Sequence, residues 1–174
     1  MEEFLKIIYI VIPASAVMFG MYLTVKTFVQ KEFEQTKSSI KIKNNELLLP
    51  IRLQAYERVC LFLERISLNN LVMRVNDPMH TVGSFHARLL SEIRDEFNHN
   101  LSQQIYMSDE AWNMVRSAME QTTSIINQSS QLIDNKEDRG VELAKTIFNV
   151  VSQSKHDAIQ EALLYIKNEI RQSF

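Results

Sequence analysis

Apolar and polar positions fall into two regimes along this chain. From Ile7 to Val25 the sequence reads IIYIVIPASAVMFGMYLTV, nineteen residues with no charged side chain between Lys6 and Lys26. As a helix this stretch is roughly 28 Å long, close to the hydrocarbon thickness of a bilayer. From Lys26 onward the apolar residues return at three- and four-residue intervals, the spacing of one helix face. Period-two alternation bounded by turn residues is missing throughout, so the pattern predicts an all-α protein. It predicts three parts: 1–25, an N-terminal tail and transmembrane anchor; 26–49, a juxtamembrane helix; and 50–174, a cytoplasmic helical bundle.

The anchor reading rests on Ile7, Ile10, Val11, Val17, Phe19, Met21, Leu23 and Val25, with Tyr9 and Tyr22 near the two ends. Two other readings of the stretch are weaker. Ala14-Ser15-Ala16 resembles a signal-peptidase site, but Glu2 and Glu3 oppose Lys6 in the leader and the apolar run continues nine residues past Ala16. A buried core helix would ordinarily keep a polar side. Lys26, Lys31, Lys37, Lys41 and Lys43 follow the span, which by the positive-inside rule directs the rest of the chain to the cytoplasm, across a bacterial-type inner membrane. The single cysteine, Cys60, agrees with a reducing compartment.

In the juxtamembrane helix Val29, Phe33, Thr36, Ile40, Lys43 and Leu47 keep a 4-3-4-3-4 spacing. That face packs either on the chain's own bundle or on a second copy, and Thr36 and Lys43 weaken it as a seam. Pro50 ends this helix or begins the next. The following segment, IRLQAYERVCLFLERI, carries the broadest apolar face outside the anchor: Ala55, Tyr56, Val59, Cys60, Phe62, Leu63 and Ile66. A short helix LNNLVMRV follows Ser67, and Asp77-Pro78 breaks it. Thr81 is the expected cap of a long helix from Val82 to about Tyr106, its stripe running Val82, Phe85, Leu89, Ile93, Phe97, Leu101 and Ile105.

Ser108, followed by Asp109 and Glu110, is the expected start of a helix whose seam is Trp112, Val115, Met119, Thr122, Ile126, Ser129 and Ile133, flanked by Ala111, Ala118, Ile125 and Leu132. DNKEDRG, residues 134–140, is a loop. Val141, Ala144, Ile147, Phe148 and Val151 then mark a short helix. Ser154 with Asp157 resembles a capping box before a last helix that buries Ile159, Ala162, Leu163, Ile166 and Ile170.

Composition narrows the function. The chain has 174 residues, net charge −2 and only three glycines and three prolines, enough for one helical domain beyond the anchor with short connections. Lys and Arg are balanced by acids, so the basic footprint of nucleic-acid binding is absent. Neither a phosphate loop, a His-Glu-x-x-His pair nor a nucleophile elbow occurs. Glu96 and His99, three apart on a helix, resemble half of a carboxylate-bridged metal site, but the second Glu-x-x-His and the two further glutamates such bundles use are missing. The polar band 95–104, with Glu96, His99, Asn100, Gln103 and Gln104, is the candidate partner surface, set against its plainer reading as a hydrated helix face.

Two segments, LPIRLQAYERVCLFLERISLNNLVMRV (Leu49 to Val75) and EIRDEFNHNLSQQIYMSDEAW (Glu92 to Trp112), resemble an uncharacterised family of small N-terminally membrane-anchored helical proteins from Bacteroidota. The resemblance implies a bacterial inner-membrane protein and supplies no catalytic residue. The expected role is a single-pass, membrane-anchored interaction module, a subunit, scaffold or adaptor, with the lipid bilayer and an unidentified protein as partners, no catalytic activity, no cofactor and no nucleic acid. Two alternatives stand beside it: a metal-dependent enzyme with a noncanonical site around Glu96 and His99, and a self-associating stalk protein forming homo-oligomers.

Overall fold

A computed structural model describes residues 1–154 and 156–172; within the first helix the side chains of residues 3–12 and 38–46 lie outside the description. The described residues form six α-helices: α1 (Glu2–Ile66), α2 (Leu68–Val75), α3 (Val82–Asn100), α4 (Asp109–Gln131), α5 (Gly140–Gln153) and α6 (Ala158–Arg171). A 3-10 helix, Leu101–Tyr106, extends α3. The protein is all-α. It divides into two compact units, Met1–Leu49 and Pro50–Phe174.

The first unit is a single helical stretch, and a lone helix has no second element to bury its side chains against. Val17, Met18, Phe19, Met21, Tyr22, Leu23 and Val25 are 45–74% exposed. Among the described residues no helix is long and apolar enough to cross a membrane. Six of the nineteen residues of the apolar stretch, Ile7 to Ile12, belong to the part whose side chains are not described.

The second unit is built around α4, which packs against α3, α5 and α6. Its core takes Val59, Phe62, Leu63 and Ile66 from α1, Phe85, Leu89 and Ile93 from α3, Trp112, Val115 and Ile126 from α4, and Leu143, Ile147, Leu163 and Ile166 from α5 and α6. All but Leu143 are residues the helical spacing put inward, because one face of each amphipathic helix must be withdrawn from water; Phe148, expected on the α5 stripe, is instead 37% exposed. Phe62, Phe97 and Trp112 form an aromatic ladder across α1, α3 and α4, with ring centroids 5.9 and 5.6 Å apart.

Pro50 neither ends nor begins a helix, α1 running through it. The other helix starts follow the cap chemistry, with two differences. Thr81 accepts from Ser84 N in a capping box completed by the Ser84 hydroxyl, and Ser108 accepts from Ala111 N. The first amides of α3 are also satisfied by the 134–139 loop: Val82 N donates to Asp138 O and Gly83 N to Lys136 O. A helix start needs such outside acceptors for its unpaired donors. Ser67 stands at the cap position of α2 but bonds backwards to Glu64 O, leaving the cap unmade. Asp157 alone caps α6, accepting from Ile159 N and Gln160 N, while Ser154 closes α5. The expected Ser154–Asp157 box is therefore one cap, the Ser154 hydroxyl being engaged with the His156 backbone instead.

The expected helix from Val82 to Tyr106 changes type at Leu101. In a 3-10 helix each residue advances about 120° instead of 100°, so a stripe continued at four-residue spacing rotates off the core. Leu101 and Ile105 accordingly end up 42% and 72% exposed, and Gln103 turns inward. Leu132, expected beside the α4 seam, lies past the helix end and is 65% exposed.

Candidate functional site

The polar band is not one continuous surface. Glu96 is drawn to α1, where Arg65 meets its carboxylate at 2.5 Å. Asn100 is buried, its side-chain amide donating to Glu96 O at 2.9 Å and closing the last turn of α3. Gln103 is buried with its amide on the Ser102 hydroxyl at 3.2 Å. His99 is exposed, Nδ1 lying 3.0 Å from Asp95 O, and Gln104 is exposed. The five residues thus split into a structural half (Glu96, Asn100, Gln103) and an outward half (His99, Gln104). Glu96 and His99 engage different partners, and no group of three or more His, Cys, Asp or Glu that could hold a metal occurs among the described residues.

Where the 3-10 helix runs beside the start of the bundle part of α1, a cleft of 250 Å³ opens, lined by Ile51, Gln54, Arg58, Gln103, Ile105 and Tyr106. Arg52 Nε donates to Tyr106 O at 3.2 Å across the same seam. The cleft sets Gln54, Arg58 and Gln103 beside two exposed isoleucines, an arrangement suited to a protein surface carrying both apolar and hydrogen-bonding groups.

Sequence reasoning missed the most connected polar cluster of the bundle. Tyr56 Oη donates to Glu169 Oε1, Ser108 N donates to the same oxygen at 3.0 Å, and the Ser108 hydroxyl donates to Glu169 Oε2 while accepting from Ala111 N. Arg52 lies over the Tyr56 ring, 6.0 Å from its centroid. One carboxylate therefore ties together the entry of α1 into the bundle, the cap of α4 and the last turn of α6. Burial works to raise the Glu169 carboxyl, but the hydrogen bonds from Ser108 and Tyr56 and the Arg52 charge outweigh it and hold it below the ordinary range. Burial, then the hydrogen bond to Glu169, push the Tyr56 phenol up to about 12. The one available signal was Tyr56 itself, a hydroxyl on an apolar face that needs a partner when buried; nothing in the sequence pointed to residue 169.

A larger cleft, 520 Å³, lies between the α1–α2 junction, the middle of α4 and the α5–α6 connection. Its polar lining is occupied locally: Asn70 donates to Glu64 O, Thr122 to Ala118 O, and His156 meets Glu161 at 2.7 Å. Cys60 packs against the core, and burial raises its thiol, as expected of a small hydrophobe rather than a nucleophile.

No curated protein and no solved structure matches the chain. A family model matches residues 2–173, nearly the whole length over which these helices and the Glu169 cluster extend, and the chain belongs to that family, DUF7935, a family of unknown function.

Proposed function

We propose that this chain is a single-pass, membrane-anchored interaction module whose helical bundle holds a protein partner near the cytoplasmic face of a bacterial inner membrane. The observation that carries the reading is the uncovered apolar surface of the first unit, Val17 to Val25, continued in sequence by Ile7 to Ile12. Such a surface is costly in water and needs lipid or protein around it. Its hydroxyls support immersion: Thr24 donates to Gly20 O and Thr27 to Leu23 O, each at 2.8 Å, so neither leaves a donor for hydrocarbon to strand. Lys26, Lys31, Lys37, Lys41 and Lys43 set the sidedness. The family resemblance to Bacteroidota proteins supports the bacterial address.

The role is one of holding rather than of catalysis. Glu96 is committed to Arg65 and His99 faces outward on the backbone of Asp95, which supports a contact surface over a reacting pair. The partner surface is the outward half of the band, His99 and Gln104, with the cleft at Ile51, Arg58 and Ile105. An alkaline carbonate wash tests the anchor: the full chain is expected in the membrane pellet, and its recovery in the soluble fraction overturns the reading. Protease added outside intact spheroplasts is expected to spare the bundle; cleavage there reverses the sidedness. Affinity purification in mild detergent is expected to yield a stoichiometric protein that is lost when His99 and Gln104 are both replaced by Ala.

A further inference from the structure

We propose that residues 29–47 of α1 pair, in parallel and in register, with the same residues of a second copy of this chain. With Phe33 at heptad position a, Ile40 and Leu47 also fall at a, and Val29, Thr36 and Lys43 at d. Of the four apolar residues, Val29, Phe33 and Leu47 have described side chains, and all are exposed, at 57%, 62% and 70%. Ile40 and Lys43 occupy register positions in sequence only.

Charge chooses the occupant and its direction. Glu32 takes position g and Lys37 the following e; Glu46 takes the next g but one. In a parallel dimer each g residue faces the e residue five positions on in the partner, so Glu32 of each copy meets Lys37 of the other, twice per dimer. In an antiparallel pair g faces g and e faces e, which sets Glu32 against Glu46 and Lys37 against Lys37. The same flanking charges thus attract in one direction and repel in the other. Lys37 already stands beside the seam: its ammonium lies over the Phe33 ring, 4.7 Å from the centroid, where a partner's Glu32 would reach it. The polar d positions, Thr36 and Lys43, hold the pair to modest strength, so it is concentration-dependent rather than permanent.

The pairing does not rest on the membrane reading, although two anchors side by side suit a parallel dimer. The test uses the full chain in mild detergent, with Cys60→Ala removing the native thiol. Phe33→Cys is expected to form a disulfide-linked dimer on mild oxidation at least about tenfold faster than Glu34→Cys, which lies at outward position b; equal rates, or no dimer, overturn the proposal. Self-linkage at residue 33 also requires the parallel direction. Independently, Glu32→Lys and Lys37→Glu are each expected to sediment as monomers at a concentration where the parent dimerises, and an equal mixture of the two is expected to recover the dimer. Unchanged dimers in the single variants, or no recovery in the mixture, overturn it. Carbonate extraction of the membranes from which each preparation is drawn, before detergent is added, separates the outcomes: a membrane-retained monomer refutes pairing alone, and a soluble dimer refutes the anchor alone.

Discussion

The two units are both helical, yet they handle apolar side chains in opposite ways. In Pro50–Phe174 each helix hides its large aliphatics against the others, and Phe62, Leu63, Phe85, Leu143 and Leu163 are withdrawn from solvent. In Met1–Leu49 residues of the same kind stand open on one helix. The difference teaches that secondary structure is uninformative about environment here. What distinguishes the units is whether the apolar positions sit on one face with charges opposite, as in α3 to α6, or all round, as from Ile7 to Val25. A face closes on a neighbour within the chain; an all-round surface must find its cover elsewhere.

Matched truncations give the largest test of that contrast. Phe62→Ala removes a ring packed on Phe97 in the core and is expected to lower bundle stability by about 3–5 kcal/mol in chemical denaturation. Phe19→Ala, on the open helix, is expected to leave the same transition within about 0.5 kcal/mol. A comparable loss from both would end the distinction between the units.

Glycines sharpen it at the next scale. A Cβ at Gly140 would sit 3.0 Å from His80 O and 3.2 Å from the Phe85 Cβ, and Gly140 N already donates to that carbonyl. Gly140→Ala is therefore expected to cost about 1–3 kcal/mol, since backbone must move. At Gly20 nothing lies within 4 Å, so Gly20→Ala should raise helix content slightly, worth about 1 kcal/mol locally, without shifting the bundle transition.

The Glu169 cluster predicts how the bundle responds to pH. The Glu169 carboxyl is depressed in the folded state, so its contribution is present above the ordinary carboxyl range and is lost as pH falls through the folded value. Tyr56 is raised from 10.0 to about 12, so the folded state holds the phenol proton more tightly than the unfolded chain and stability declines as pH rises from 10 toward 12. Tyr56→Phe is expected to abolish that alkaline decline in thermal melts, and Glu169→Gln to flatten the acid limb at a cost of about 1–2 kcal/mol near neutrality. The smallest expected effect is at the rim: Arg65→Ala, which breaks the half-exposed pair with Glu96, should change stability by under about 1 kcal/mol.

How much of this was legible depended on distance along the chain. Spacing alone located Val59, Phe85, Val115, Leu163 and Ile166 in the core, because a helix face is a local property of the sequence. Thr81 and Ser108 were readable as caps for the same reason. The change of helix type at Leu101 was not, since Leu101 and Ile105 continue the apolar spacing and only the tertiary setting rotates them outward. Of the candidate surface, His99 and Gln104 are exposed as a contact surface requires, while Asn100 and Gln103 went inside, their amides satisfied by a backbone carbonyl and a neighbouring hydroxyl. The union of Tyr56, Ser108 and Glu169 lay beyond reach because its members are up to 113 residues apart.

That long span also fixes an order of events in the cell. Translation delivers Tyr56 and Ser108 well before Glu169, so the earlier helices emerge while the clasp that seals α6 onto Tyr56 does not yet exist. The bundle therefore closes only after its last helix has been made, and until then Tyr56 and Ser108 wait without their shared acceptor.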